Sequence, residues 1–307
     1  MLRQLFVWLS ERKDLQAFVT RNRLAHRAAR RFVAGDTLED ACRVLGELNT
    51  QGMLATLDFL GERTTNPTEA HAAAAMYRRV LATIAQRRLG ANVSLKLTQM
   101  GIDLSWDLCM ENMVGICDEA AQYGNFVRID MESSHYTQMT LDLYRELRRR
   151  GYGPDTVGVV IQAYLYRSER DVEDLIAEGA RVRLCKGAYA EAPDVAYPRK
   201  RDVDRNFVRL MERLLVAGRY PAIATHDEAI INHAKRFCRQ REIPPTRYEF
   251  QMLYGIRRDL QRRLVREGYN LRIYVPFGTE WYPYFMRRLA ERPANVGFLL
   301  LSLLRER

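Results

Sequence analysis

Eight short strand-like runs alternate with longer segments of helical period, and this rhythm restricts the chain more than any single motif. The strand readings are Met53–Phe59, Ala91–Leu97, Phe126–Met131, Val157–Tyr164, Arg181–Gly187, Ala222–His226, Tyr248–Leu253 and Leu271–Val275. Helix-period segments separate them, among them Ala72–Leu89, Leu108–Tyr123, Met139–Arg150, Arg170–Glu178 and Val203–Ala217. Ahead of the first strand, Leu38–Leu48 reads as a helix, with Asp36 and Glu39 at capping-box spacing. Eight such units within roughly the ~250 residues the fold needs predict an α/β protein, a (β/α)8 TIM-like barrel. No Pro- or Ser-rich linker divides it, so residues 1–50 are expected as an extra helical segment packed on a catalytic barrel of residues 51–307.

A barrel strand turns one face to the lumen and the other to the surrounding helices. Here one face is unusually polar. Strand two sets Asn92, Ser94, Lys96 and Thr98 against Val93, Leu95 and Leu97, and strand three sets Arg128, Asp130 and Glu132 against Val127, Ile129 and Met131. Arg181, Arg183 and Cys185 share a face of strand five, Glu249 and Gln251 of strand seven, Arg272 and Tyr274 of strand eight. Lumens are ordinarily filled with branched apolar side chains. Arg128 and Arg181, early in their strands, suit internal salt bridging. Lys96, Asp130, Arg183 and Tyr274, late in theirs, suit a polar, anionic ligand at the C-terminal mouth.

The choice of cation sharpens this. Of 48 basic residues only five are lysine (Lys13, Lys96, Lys186, Lys200, Lys235), and Lys96 and Lys186 sit in apolar strand-like runs where an unpaired charge is costly. The net charge of +10 raises nucleic acid or an anionic membrane surface as partners, yet 38 acidic residues are interspersed. The densest basic stretch, Arg21, Arg23, Arg27, Arg30 and Arg31 on an N-terminal helix, comes with no DNA- or RNA-binding signature, so nucleic acid is not expected. No apolar run approaches the ~18 residues of a membrane span. Five scattered cysteines without a Cys-x-x-Cys pair argue against disulfides and zinc, and for a reducing, cytoplasmic setting.

After the last strand comes a helix reading from Trp281 to Arg292, with Pro283 in its first turn. Tyr284, Arg287, Arg288 and Glu291 fall on one surface of it. Two guanidiniums beside a phenol form a receptor for a carboxylate. Gly-x-Gly-x-x-Gly, the phosphate loop and His-Glu-x-x-His are absent. Lys186-Gly187 and Thr225-His226 close strands five and six, where a ligand can approach the backbone and meet a lysine or threonine.

The chain resembles the flavin-dependent proline dehydrogenases of the short, single-function bacterial type. The resemblance is carried by Leu60-Gly-Glu62, Val93-Ser-Leu-Lys-Leu-Thr98, Ile129-Asp-Met-Glu132, Val160-Ile-Gln-Ala-Tyr164, Arg183-Leu-Cys-Lys-Gly-Ala-Tyr189, Ala224-Thr-His226, Phe250-Gln-Met-Leu-Tyr-Gly255 and Tyr274…Tyr284…Arg287-Arg288. It implies oxidation of L-proline to Δ1-pyrroline-5-carboxylate, with hydride passing to N5 of FAD and electrons to a membrane quinone. Lys96, Arg287 and Arg288 would grip the substrate carboxylate, Tyr274 and Tyr284 would pack on the ring, and Leu253 would form an apolar wall. Asp130 would orient the charges and Arg183 would stand against the flavin near N5. Met131 and Gln162 would contact the flavin ring, while Lys186, Gly187, Ala188, Thr225 and His226 would hold the rest of FAD. Glu62 would gate the site by pairing with Arg287 as the C-terminal helix folds over the barrel mouth. The resemblance further implies peripheral membrane contact through the basic N-terminal helix, and a downstream pyrroline-5-carboxylate dehydrogenase. Phe277 and Cys185 depart from the family's usual Tyr and Val. The competing readings are a Schiff-base aldolase using Lys96 or Lys186, and a non-catalytic basic protein bound to membrane or nucleic acid.

Overall fold

The computed structural model describes residues 29–61 and 63–291, with side chains through Met286. Helix α1 (Leu38–Thr50) leads into β1 (Leu54–Phe59), α2 (Pro67–Gln86), β2 (Ala91–Leu95), α3 (Trp106–Gln122), β3 (Val127–Ile129), α4 (Ser134–Arg149) and β4 (Val157–Gln162). Then come α5 (Ser168–Ala177), β5 (Val182–Cys185), α6 (Lys200–Ala217), β6 (Ala222–Ala224), α7 (Glu228–Gln240), β7 (Glu249–Leu253), α8 (Arg258–Arg266), β8 (Leu271–Phe277) and α9 (Trp281–Glu291). The eight strands are all parallel and close on themselves, β8 pairing with β1 in the register Thr56–Tyr274.

The outward strand faces build the main core. Leu57, Val93, Val127, Val159, Leu184, Ile223, Phe250 and Ile273 are fully buried against the helices. Inside, the base of the lumen is an ionic layer. Arg272 donates to both oxygens of Glu249 at 2.9 and 3.1 Å and to the Ala55 carbonyl at 2.8 Å. Arg128, fully buried, donates to the Val159 carbonyl at 3.0 Å and stacks over Phe126 at 4.6 Å. Burial and the neighbouring Arg183 push its pKa well down. Its guanidinium takes the space opposite Gly158, where a Cβ would come within 3.0 Å of Arg128 Nη1 and 2.4 Å of the Arg181 carbonyl. Arg181 stands just before β5 and lies over the other ring contacts of this layer, Phe126 and Tyr220, at 4.5 and 4.8 Å.

Several sequence expectations shift. The cap of α1 is Thr37, whose side chain accepts from the Asp40 amide at 3.1 Å, so the box predicted from Asp36 and Glu39 moves by one residue. Thr37→Ala should therefore cost about 1 kcal/mol, lowering the unfolding midpoint by roughly 2–4 °C; an unchanged midpoint would show that the cap contributes nothing. Strand eight continues through Pro276 to Phe277, because a proline near the strand end removes only one donor while its carbonyl still accepts from Ala34 at 2.8 Å. Helix α2 begins five residues before the expected Ala72, with Asn66 capping the Glu69 amide and Pro67 in the first turn. Strands two to six each end two residues early, so Lys96, Asp130, Lys186, Thr225 and His226 lie just past the ladder. Arg30 and Arg31 are exposed in a turn rather than on a helix, and Arg21, Arg23 and Arg27 lie outside the described residues.

Helix α9 forms a second apolar cluster in which Trp281, Tyr282, Tyr284, Phe285 and Met286 meet Phe32, Val33, Leu60 and Ile256, with Leu253 packed against it. Leu60 follows β1 and Leu253 ends β7, which sets this helix at the C-terminal ends of the strands.

Candidate active site

The strand ends bring six polar side chains into one connected network. Lys96 Nζ donates to both oxygens of Asp58 at 3.0 and 3.1 Å and stands 3.8 Å from Asp130. Asp130 accepts from Arg183 Nη1 at 2.7 Å, Ser94 Oγ at 2.6 Å and the Tyr274 hydroxyl at 2.8 Å. Arg183 also donates to Ser94 Oγ at 3.1 Å and lies 5.3 Å over the Tyr274 ring. The two carboxylates and two cations balance, which is how buried charges are tolerated.

The environment sets each protonation state. Burial would push the Lys96 ammonium down, but Asp58 and Asp130 overcome it and hold its pKa above the ordinary lysine value. Burial would likewise raise Asp130, yet Arg183, Lys96, Ser94 and Tyr274 keep it below the usual carboxylate range. The Tyr274 phenol is pushed well up by burial and by the two aspartates. Lys96 is thus a fixed cation, Asp130 a fixed anion and Tyr274 a neutral donor. Nearby, Glu132 accepts from the Thr98 amide and hydroxyl at 3.1 and 2.8 Å, tying the end of β3 to that of β2.

Beside the network, Gln162 Nε2 donates to the carbonyls of Met131 and Glu132 at 2.9 and 3.2 Å. Those two bonds orient its amide, so Oε1 faces away from them. Gln162 Oε1 and Arg183 Nε are both buried and make no hydrogen bond with any described residue. A buried unsatisfied acceptor and a buried unsatisfied donor thus stand on adjoining strands.

The phosphate-side candidates are pre-engaged. Lys186 Nζ lies 2.5 Å from Asp204 and 3.0 Å from Asp227. Gly187 has φ +104°, and a Cβ there would come 2.2 Å from the Tyr164 ring, so only glycine fits this turn. Thr225 is buried and its hydroxyl accepts from the Asp227 amide at 3.1 Å. His226 Nε2 accepts from the Leu253 amide at 2.9 Å, which puts the ring proton on Nδ1. Ala188 is exposed, and Met131 is buried in the main core. Arg287 and Arg288 belong to α9, but their side chains, like the whole of Glu62, lie outside the described residues.

Asp58 is the residue the sequence reading overlooked. It carries the tightest contact to Lys96, and its signal was its place two residues after Thr56 on the inward face of an otherwise apolar strand. Tyr77 was overlooked too. Its hydroxyl reaches in from α2 to donate to Asp58 at 3.4 Å and to accept from the Phe59 amide at 3.2 Å, a contact no local pattern encodes. Among the described residues no group of three or more His, Cys, Asp or Glu could hold a metal ion.

A family model for proline dehydrogenase matches residues 41–300. The chain belongs to the proline dehydrogenase family. Proline dehydrogenase 1 of Bacillus subtilis (strain 168) is 44% identical over 309 residues, covering 100% of both chains. Proline dehydrogenase of Deinococcus radiodurans is 41% identical over 280 residues, covering 90% of both. The crystal structure of proline utilization A from Bdellovibrio bacteriovorus, inactivated by N-propargylglycine, superposes with a TM-score of 0.80 at 27% identity. That match covers 86% of this chain and 32% of the larger protein, so this family member spans about a third of it. The lumen network described above therefore occupies the mouth of a proline dehydrogenase barrel.

Proposed function

We infer that the chain oxidises L-proline to Δ1-pyrroline-5-carboxylate, the first step of proline catabolism to glutamate, with FAD as cofactor and a membrane quinone as terminal acceptor. The observation that carries this is the closed Asp58–Lys96–Asp130–Arg183 charge network at the barrel mouth of a proline dehydrogenase family member. A zwitterionic amino acid needs a cation for its carboxylate and an anion facing the charge its nitrogen carries, and Lys96 and Asp130 offer both 3.8 Å apart.

The residues fit a flavin. Arg183 Nε is a buried donor in need of an acceptor, which the isoalloxazine ring nitrogens and oxygens provide, and Gln162 Oε1 is a buried acceptor in need of a donor, which the ring N–H provides. Lys186, Gly187, Ala188, Thr225 and His226 would hold the remainder. Bound there, FAD supplies the two-electron acceptor that no side chain can. Arg183, fixed by Asp130 and Ser94 before reaction, stabilises negative charge at its Nε side. Asp130 stays ionised and serves as the anchor for Arg183 and Tyr274. Leu253 and Tyr284, in the apolar cluster of α9, would wall the site against water.

The same reading places the protein on the cytoplasmic side of the membrane. Its basic N-terminal segment would contact anionic lipid, and its product would pass to a pyrroline-5-carboxylate dehydrogenase. Among the described residues no helix is long and apolar enough to cross a membrane. The visible spectrum of the purified protein tests the core of the proposal. Flavin absorbance that bleaches on adding L-proline is expected, and a colourless protein or a proline-insensitive flavin would overturn it.

The carboxylate clamp has its own test. Charge-assisted hydrogen bonds are worth roughly 1.5–3 kcal/mol, or about 10- to 150-fold in affinity. Arg287→Met and Arg288→Met should each weaken proline binding within that range while FAD stays bound. A ring analogue without the carboxylate should bind all three proteins alike. Normal proline binding by both variants would reduce the pair to helix surface.

A further inference from the structure

The loop that follows β5 is tied down at several places, among them Tyr166, which gives its amide to the Val195 carbonyl at 3.1 Å and its hydroxyl to the Pro193 carbonyl at 2.9 Å. At its base the Tyr164 amide donates to the Lys186 carbonyl at 2.9 Å, and on its return the Tyr197 amide donates to the Tyr164 carbonyl at 2.8 Å. Leu165 and Ala196 form a β-bridge beside them. A further tie is at the tip and comes from Glu191. One carboxylate oxygen accepts from the Ser134 amide at 2.7 Å and the Tyr164 hydroxyl at 3.2 Å, and the other accepts from the Ser134 hydroxyl at 2.5 Å.

Helix α4 makes this contact meaningful. Its N-cap, Ser133, provides no side-chain cap and its first turn carries no acid. Glu191, 57 residues further on, supplies the missing anion to the helix start. The same carboxylate holds Tyr164, whose ring packs under the Gly187 turn. One side chain thus joins the loops after β3, β4 and β5. Near these ties Ala188 and Ala190 are exposed and Tyr189 is 40% exposed.

We propose that Glu191 is a positioning residue, a strap that keeps Lys186, Gly187 and Ala188 in their ligand-ready arrangement and so governs retention of the cofactor. This rests on the flavin reading above, and the test separates the two. Glu191→Ala should raise the dissociation constant for FAD by roughly 10-fold or more, the scale of one lost charge-assisted hydrogen bond. It is read by flavin released on dilution of the holoenzyme. Chymotrypsin should cut the full chain at Tyr189 faster in this variant. The unfolding midpoint should fall by no more than about 8 °C, because a helix cap and the hydrogen bond from Tyr164 are lost. Glu191→Gln keeps an acceptor for the Ser134 amide and should recover part of the affinity. Flavin retention within twofold of wild type, with or without faster cleavage, would overturn the strap's role. If wild type carried no FAD the flavin reading would fall instead, and cleavage at Tyr189 would still decide whether Glu191 orders the loop.

Discussion

Lys96→Met should destabilise the protein by about 3–5 kcal/mol, the cost of stranding a buried charge, and should also abolish measurable proline affinity at ordinary concentrations. Asp58 is only 1% exposed and gives both oxygens to Lys96, so its carboxylate would lose its single bidentate partner. Asp130 would keep Arg183, Ser94 and Tyr274. The damage therefore falls on Asp58. Its buried carboxylate would keep only the long contact from the Tyr77 hydroxyl at 3.4 Å and no cation, which is the source of the penalty. Pairing the change with Asp58→Asn should restore much of the loss at neutral pH, a non-additivity expected of direct partners. The measurement is thermal unfolding of the single and double variants at pH 7. A single variant with a wild-type midpoint at pH 7 would break the proposed pairing.

Arg183→Met should leave the barrel folded but slow flavin reduction by roughly 10²- to 10³-fold, the range for losing one preorganised charge-stabilising donor. Arg183 is held by Asp130 at 2.7 Å and Ser94 at 3.1 Å, so its charge is set before substrate arrives. If Arg183 stands beside the flavin as proposed, removing it would withdraw a cation that favours the reduced form, and the midpoint potential should fall by tens of millivolts, where about 30 mV corresponds to 1.4 kcal/mol for two electrons. Burial already drives Asp130 upward and Arg183 is the strongest opposing charge, so the Asp130 pKa should climb in the variant. Arg183→Lys should recover part of the potential and less of the rate, since it keeps the charge without the planar fork. Unchanged potential and rate together would remove Arg183 from the mechanism.

Much of this site was legible along the chain because a strand alternates faces every second residue. That period alone put Ser94, Lys96, Asp130, Arg183 and Tyr274 on the inward side, and all five meet in the lumen. Asp58 shows the limit of the same rule: it obeys the alternation, but an acid inside Leu-Ala-Thr-Leu-Asp-Phe draws no notice until its partner is known. Strands two to six were read two residues too long at their C-terminal ends, because only pairing with a neighbour defines where a strand stops.

The sequence by itself determined the order of elements, the polarity of the lumen and the glycine at the turn after β5. Each of these depends on local periodicity or on the backbone freedom of one residue, and Gly187 at φ +104° is the clearest case. Tertiary structure alone decided which polar groups meet. Lys96 finds Asp58 across 38 residues, Arg183 finds Ser94 across 89, and Tyr274 finds Asp130 across 144. Arg272 reaches the Ala55 carbonyl across 217, at the seam where the last strand closes on the first. Those partnerships follow from the register and closure of the whole barrel, which collective packing fixes and no short segment encodes.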